Sequence, residues 1–374
     1  MRWQSRTYPF AALVGQDEVK QALVLLAVNP RLNGLLIRGE KGTAKSTAAR
    51  GLASLLPAVQ RNEGCRFGCA AARPRSWCDE CVTRSPVPAV PSPPGFETLP
   101  LGITEDQLLG TMDLEQALKH GEKRFAPGLL ARVNHGVLYV DEVNLLDDHI
   151  VDLLLDCAAS GVNVVAREGV AIAHPADFLL VGTMNPEEGE IRPQLLDRFG
   201  LCVDIQGVGD PEVRAEIVER TLAFERDPEG FTEIWAEATA ALSRTIAAAR
   251  EKLAGMVPAR RWLRAAALLS VSLGVDGHRA DILMAKAAAT LAAVAGRDQV
   301  EATDFEVAAT FVYPHRLRRR PFEEAAMGAR EIAARAREVA ADAAGREYLV
   351  SAAAGEKKKA LTPAATTPPA PLPT

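Results

Sequence analysis

A glycine-punctuated loop, Gly39-Glu40-Lys41-Gly42-Thr43-Ala44-Lys45-Ser46, follows the apolar run Leu35 to Ile37 and leads into a helix-compatible stretch, Thr47 to Leu56. A strand, a glycine loop and a helix in this order form a cradle for a nucleoside triphosphate. The glycines let backbone N–H groups converge on phosphate oxygens. Lys45 can reach the β- and γ-phosphates, and the Ser46 hydroxyl can join the shell of a Mg²⁺ ion. Ala44 stands where a glycine is usual, and its methyl is a small change provided that φ stays negative there. For this motif alone, the alternative is a glycine-rich turn with an incidental lysine.

A second pattern narrows the choice. Val137-Leu138-Tyr139-Val140 is apolar throughout and ends in Asp141-Glu142. It reads as a buried parallel strand whose C-terminal tip carries two carboxylates, and open α/β sheets bind ligands at that end. Asp141 is placed to hold the Mg²⁺ shell and Glu142 to orient and polarise an attacking water. A solvated Asp-Glu pair at a strand end is common in isolation, but it is much less so downstream of a phosphate loop.

The chain has 374 residues, enough for two or three domains, and is 48% hydrophobic but only 5% aromatic, the balance of an alanine- and leucine-rich helical protein. A net charge of -5 argues against a chain built to coat nucleic acid. No apolar run approaches membrane-spanning length, and Met1 to Arg6 lack a signal-peptide core, so a cytoplasmic setting is expected. In that setting cysteines are thiols or metal ligands more often than disulfides. Cys65, Cys69, Cys78 and Cys81 form a C-x3-C pair followed by a C-x2-C pair, a spacing that can converge on structural Zn²⁺ or, less readily, an iron–sulfur cluster. Free thiols or a redox switch are the alternatives. Cys157 and Cys202 lie among apolar neighbours and read as core residues.

Along the chain, Val14-Gly15-Gln16 precedes an amphipathic helix over Glu18 to Val28. The cysteine segment and a proline-rich crossing, Pro86 to Pro94, read as an insertion without sheet. An extended pattern restarts at Leu99 to Ile103. Helices are expected at Met112 to Leu118, Gly128 to Val133 and Asp148 to Ala159, a hairpin over Val162 to Ala173, and strands at Phe178 to Thr183 and Leu201 to Ile205. Strands alternating with helices imply a parallel α/β sheet. Beyond Pro211 only helices are expected, at Phe231 to Leu253, Ala259 to Leu273, Arg279 to Ala295 and Thr303 to Val312. The basic run His315 to Arg320 reads as a solvated connecting face. From Glu347 the lysines and the Pro/Thr/Ala composition read as a disordered tail.

The two nucleotide motifs and the trailing helices resemble AAA+ ATPases. The segments Leu99 to Asp106, Arg124 to Ala131, Tyr139 to Asp148, Gly182 to Glu187 and Arg192 to Phe199 are similar to the ATPase subunit of magnesium chelatase and its cobaltochelatase relatives, over about Tyr8 to Glu324. The cysteine-rich insertion and Ala44 lie nearer the cobaltochelatase-type members. The fold implied is α/β, an AAA+ P-loop NTPase core whose parallel sheet is sandwiched by helices, followed by a helical lid. Its expected bounds are a core over 1-206 with insertions at 61-95 and 161-174, a linker and helical domain over 207-346, and a tail over 347-374. The fused relatives continue into a von Willebrand type A domain, whose Asp-x-Ser-x-Ser motif does not occur here, so the chain is expected to be a split-gene or truncated subunit.

The resemblance also implies roles. Gly39 to Thr47 and Asp141 would hold ATP and Mg²⁺, and Val14, Gly15 and Gln16 would border adenine. Asn185 matches a polar sensor, although it also suits a cap on the turn before Pro186. Arg198 matches an arginine finger reaching a neighbour's nucleotide, with Arg192 as a second candidate, and Arg279 matches a second sensor on the lid. The implied partners are further copies in a homo-oligomeric ring, taken as a hexamer, a von Willebrand A-containing chelatase subunit, and a large tetrapyrrole-binding subunit. The activity implied is ATP hydrolysis driving insertion of Mg²⁺ or Co²⁺ into a tetrapyrrole. The other readings are a MoxR-like chaperone for metalloenzymes, a nucleotide-dependent scaffold without turnover, and a helicase-like motor, the last disfavoured by the acidic balance.

Overall fold

The computed structural model describes residues 7–40, 42–112, 125–167, 170–189, 191–205, 207–317 and 327–356. Five parallel strands form the central sheet: β1 (Leu35–Gly39), β2 (Phe96–Leu99), β3 (Val137–Val140), β4 (Leu179–Met184) and β5 (Leu201–Ile205), in the spatial order β5-β1-β4-β3-β2. Leu35 pairs with both Val181 and Leu201, and Val137 with Leu179 and Phe96.

Because side chains alternate across a strand, the sheet divides its core by parity. Leu35, Ile37, Val137, Tyr139, Val181 and Val203 face one side, with helices α1 (Asp17–Val28) and α2 (Lys45–Ala53). Leu36, Leu138, Val140, Leu180 and Cys202 face the other, against helix α3 (Asp148–Ser160). Both faces are covered, which accounts for the wholly apolar β3 and for the apolar runs that open β1 and β4.

Helix α4 (Pro211–Arg226) leaves the sheet, and a short helix, Pro228–Ile234, stops at Trp235 before α5 (Ala236–Ala254) begins. The continuous helix expected over Phe231 to Leu253 is therefore broken. The lid adds α6 (Arg260–Ser272), α7 (Arg279–Val294), α8 (Ala302–Val312) and α9 (Ala329–Glu356). Lid and sheet share one interior, since Ile246, Trp262, Leu283 and Phe305 join the cluster that contains Leu35 and Ile37. Polar ties reinforce the contact: Asn29 Nδ2 donates to Thr290 Oγ1 at 3.0 Å, and Arg250 donates twice to the Ala27 carbonyl, at 2.9 and 2.6 Å.

Several expectations need correction. The strand near Leu99 ends there rather than starting, because Pro100 to Gly102 turn away. The insertion contains sheet after all, an antiparallel ribbon of Val59–Asn62 with Ala89–Ser92. Met112 closes the short strand Gly110–Met112, and the rest of the helix expected to Leu118 lies outside the described residues. Helix α9 continues to Glu356, past the point where a tail was expected, and residues 357–374 lie outside the description. The hairpin Val162–Arg167 with Val170–Pro175 is present, with its turn residues Glu168 and Gly169 outside the description.

Candidate functional site: a nucleotide cleft beneath a parallel sheet

The phosphate loop leaves β1 and ends at the first residue of α2, so the loop N–H groups and the helix N-terminus face one spot. Gly39 and Gly42 adopt φ of 154° and 82°, and a Cβ on Gly39 would lie 2.5 Å from the Ile205 carbonyl oxygen. Glycine is therefore required at Gly39 for the close approach to β5. Ala44 overturns the sequence expectation, with φ 55° and ψ 25° at the helix N-cap. A non-glycine residue in left-handed conformation costs about 1–2 kcal/mol, which the loop carries at its functional turn. Lys45 Nζ donates to the Gly39 and Glu40 carbonyls, at 2.5 and 3.1 Å. Gln16 donates to the Thr43 carbonyl, linking the Val14–Gln16 segment to the loop. Lys41 lies outside the described residues.

Asp141 and Glu142 follow β3, separated from β1 only by β4. Two hydroxyls fix Asp141: Thr183 Oγ1 donates to Oδ1 at 2.8 Å and Tyr139 Oη to the same oxygen at 3.0 Å. Burial pushes the Tyr139 phenol up to about 12, so it remains a donor across the ordinary pH range. Glu142 has a left-handed backbone, φ 53°, and its N–H donates to Thr183 Oγ1 at 3.1 Å. Thr183 thus joins both acids. The sequence reading passed it over, although its place two residues before Asn185 on an acid-facing strand was a usable signal.

Asn185 lies just beyond the tip of β4, between the phosphate loop and the acids, and is 6% exposed. Its Oδ1 accepts from Glu187 N at 3.3 Å, so it caps the turn that begins at Pro186. A cleft of about 870 Å³ opens beside the loop, lined by Val14, Gln16, Gly42, Thr43, Ser46 and Thr47 and closed by Arg214 and Ile217 of α4. That volume suits a nucleotide. Within the lining, the loop, the start of α2 and the Ser46 hydroxyl suit its phosphates and a hard cation, whereas Lys45, Asp141, Glu142 and Asn185 do not line the cleft and stand beyond the strand tips beside it.

The three arginines do not line this cleft. Arg198 is held by Asp152 and Asp156 of α3 at 3.1 and 2.6 Å, and Arg192 pairs with Asp148 at 2.6 Å. Arg279, at the start of α7, bonds Asp197 Oδ2 at 3.1 Å, the carboxylate of the residue that precedes Arg198. His315 and Arg316 correct the reading of a solvated basic face, because both are buried, each 7% exposed. His315 Nε2 donates to the Phe199 carbonyl at 2.9 Å. Arg316 Nε donates to Asp197 Oδ1 at 3.1 Å, and its Nη2 to the Asp197 and Phe199 carbonyls at 2.9 and 2.5 Å. The remainder of that basic run, Arg318 to Arg320, lies outside the described residues.

The four cysteines of the insertion come together with all Sγ atoms within 4.8 Å of one another, while Cys157 and Cys202 are buried elsewhere as expected. Hydrogen bonds from Cys69 and Cys78 pull the Cys65 thiol down.

The sheet order, the phosphate loop after β1, the acid-tipped β3, the polar tip of β4 and the helical lid define an AAA+ nucleotide-binding protein. Residues 112–207 match the family described as magnesium chelatase, subunit ChlI, and residues 263–339 match the AAA lid domain. The chain is 48% identical over 319 residues to a magnesium-chelatase subunit ChlI homolog of Methanocaldococcus jannaschii, covering 84% of this chain and 87% of that one. It is 48% identical over 320 residues to the magnesium-chelatase 38 kDa subunit of Cereibacter sphaeroides, covering 86% and 95% respectively. A chain in a structure of the magnesium chelatase complex between subunits BchI and BchD matches with TM-score 0.51 and 44% identity, over 87% of this chain and 99% of that one. The chain belongs to the magnesium-chelatase ChlI family.

Proposed function

We propose that this chain hydrolyses ATP as one subunit of a homo-oligomeric ring, and that the resulting motion drives a separate large subunit to insert a divalent metal into a tetrapyrrole. The observation that carries the reading is the convergence of Lys45, Asp141 and Asn185 just beyond the tips of the adjacent strands β1, β3 and β4. Lys45 and the loop N–H groups hold the β- and γ-phosphates, and Ser46 and Asp141 hold the Mg²⁺ that accompanies them. Glu142 aligns water for in-line attack and Asn185 senses the γ-phosphate.

Arg198 and Arg279 complete a neighbouring copy's site. A guanidinium supplied in this way is worth ~10³–10⁵ in rate, which makes turnover conditional on assembly. In that ring a von Willebrand A-containing chelatase subunit would serve as partner, and the likeness to a chain from the structure of the magnesium chelatase complex between subunits BchI and BchD supports assembly with a second subunit. Energy input makes chemical sense because Mg²⁺ sheds its water reluctantly and cannot enter a planar macrocycle as a hexa-aqua ion. Among the described residues no constellation suited to a tetrapyrrole stands out, so the insertion chemistry belongs to the large subunit. The cysteine insertion favours the cobalt-inserting branch of the family.

The test is reconstitution with candidate large and von Willebrand A-type subunits, comparing ATP-dependent insertion of Co²⁺ and Mg²⁺ while phosphate release is followed. Insertion that requires hydrolysable ATP supports the reading. Well-folded protein without affinity for MgATP by calorimetry ends it.

A further inference from the structure

We propose that Cys65, Cys69, Cys78 and Cys81 bind one zinc-class divalent ion as a tetrathiolate, and that this ion fastens the insertion to the start of β3 in the ATPase sheet. The four sulfurs lie within 4.8 Å of one another, and Cys65 Sγ to Cys78 Sγ is 3.9 Å. A Zn–S bond of ~2.3 Å in tetrahedral geometry places sulfurs about 3.8 Å apart. The spacing therefore suits a single central ion, and it leaves no room for a cluster of several iron and sulfide atoms. It is also far from the ~2.05 Å of a disulfide, and all four thiols are free.

The surroundings have the features of a ligand shell. Cys69, Cys78 and Cys81 are buried and Cys65 is partly so. The Cys78 N–H donates to Cys69 Sγ at 3.2 Å, the kind of bond that stabilises a thiolate ligand. Gly68, between the first two ligands, takes φ 62° and turns the chain back on itself, and Arg61 packs against it with Nη1 3.2 Å from the site of a Cβ. Four thiolates around a divalent ion carry a net double negative charge, and Arg61 supplies a neighbouring cation. Binding releases the thiol protons to solvent, so the charge balances without a further reactant.

The knuckle also has a structural address. Asn134, three residues before β3, donates to the Phe67 and Gly68 carbonyls at 2.9 and 3.1 Å, and Arg61 donates to the Asn134 carbonyl at 2.6 Å. Phe67 stacks on His174 of the hairpin with ring centroids 4.6 Å apart, and Arg66 donates to the Phe125 carbonyl at 2.6 Å. One ion would thus hold the knuckle against the lead-in of β3, the hairpin and the segment at Phe125. Among the described residues this small unit has few apolar side chains of its own, which is the situation in which a metal substitutes for a core.

Metal analysis of the full chain, purified under reducing conditions and without nucleotide, tests the assignment independently of any ATPase role. About one zinc per chain is expected, retained on dialysis and released by an organomercurial thiol reagent. The Cys78→Ser/Cys81→Ser variant should lose it, and the Cys157→Ser control should keep it. Because the double variant could fail to fold, Co²⁺ exchange into the unaltered chain gives a second readout, the intense visible bands of tetrahedral cobalt thiolate. Stably folded protein with less than about a tenth of an equivalent of metal, no cobalt bands and four freely titrating thiols would overturn the proposal. Stoichiometric iron with acid-labile sulfide would overturn it in favour of a cluster.

Discussion

Arg316 grips Asp197 twice, through the carboxylate at 3.1 Å and through the backbone carbonyl at 2.9 Å, and so fixes the residue that immediately precedes Arg198. Burial lowers the Arg316 guanidinium to about 10, with Asp197 opposing the shift, so the side chain stays charged at neutral pH. Replacing it with alanine leaves several carbonyls without their donor. The Asp197 carboxylate is 43% exposed and keeps Arg279, so the cost falls on the buried carbonyls, about 1–3 kcal/mol for an acceptor left without a donor, and Arg316→Ala should lower the urea midpoint. Arg316→Lys should keep much of the fold but lose turnover more than MgATP affinity, since a lysine cannot hold both contacts. Equal loss of binding and turnover would argue against a role in positioning Arg198.

Glu142→Gln removes the proposed base while leaving the Glu142 N–H bond to Thr183 in place. The variant is expected to bind MgATP and assemble normally while hydrolysis falls at least ~10²-fold. Substantial residual phosphate release would take Glu142 out of the proposed role. Thr183→Val removes a donor to Asp141 and should weaken the Mg²⁺ dependence of binding, read as a higher Mg²⁺ requirement in calorimetry.

Arg198 rests on Asp152 and Asp156 within its own chain, outside that chain's nucleotide cleft. Arg198→Ala and Lys45→Ala subunits should each be inactive alone and should recover part of the activity when mixed, through interfaces pairing an intact loop with an intact arginine. Mixed rings confirmed by mass spectrometry yet devoid of activity would exclude action across subunits.

Ala44 is held at φ 55°. Glycine there relieves about 1–2 kcal/mol of backbone cost and adds roughly 0.5–1 kcal/mol of unfolded-chain entropy, so Ala44→Gly should stabilise the protein by about 0.5–1 kcal/mol. A lower melting temperature would contradict the left-handed assignment.

Burial depresses His135, His174 and His315 below the ordinary 6.5, His135 to about 4. These rings are neutral in the folded protein but protonated in the unfolded chain below about 6.5, so the unfolded state binds more protons there. Their contribution is complete above that pH and is lost as the pH falls through the folded values. His135→Asn tolerates the same left-handed backbone, φ 62°. It should flatten the fall in stability between pH 6.5 and 4 seen in denaturant titrations. An unchanged slope would remove His135 from the acid response.

Much of the sheet was legible because three of its strands carry apolar runs followed by chemistry: the loop after Ile37, the acids after Val140 and the asparagine after Met184 each mark a strand end. Phe96–Leu99, with Glu97 and Thr98, carries no such run and was misplaced. Composition misled where tertiary contacts decide the outcome. His315 and Arg316 look solvated in a run of arginines, and only the approach of the lid to the Asp197–Gly200 loop reveals a cluster of carbonyls awaiting donors. The β-ribbon of the insertion was hidden by its prolines, since Pro91 sits in a two-stranded edge where one missing donor is tolerated. The backbone sign of Ala44 follows from loop geometry that the residue's own identity opposes.

The seam between lid and sheet has a mechanical corollary. Ile246, Trp262 and Leu283 are seated in the same interior as Leu35, and Arg250 is bolted to the end of α1. A hinge needs slack, and this joint has little, so each protomer should turn as a single cog. In the proposed ring the stroke would then be spent at the contacts between copies, where Arg198 and Arg279 would face the fuel of the next cog.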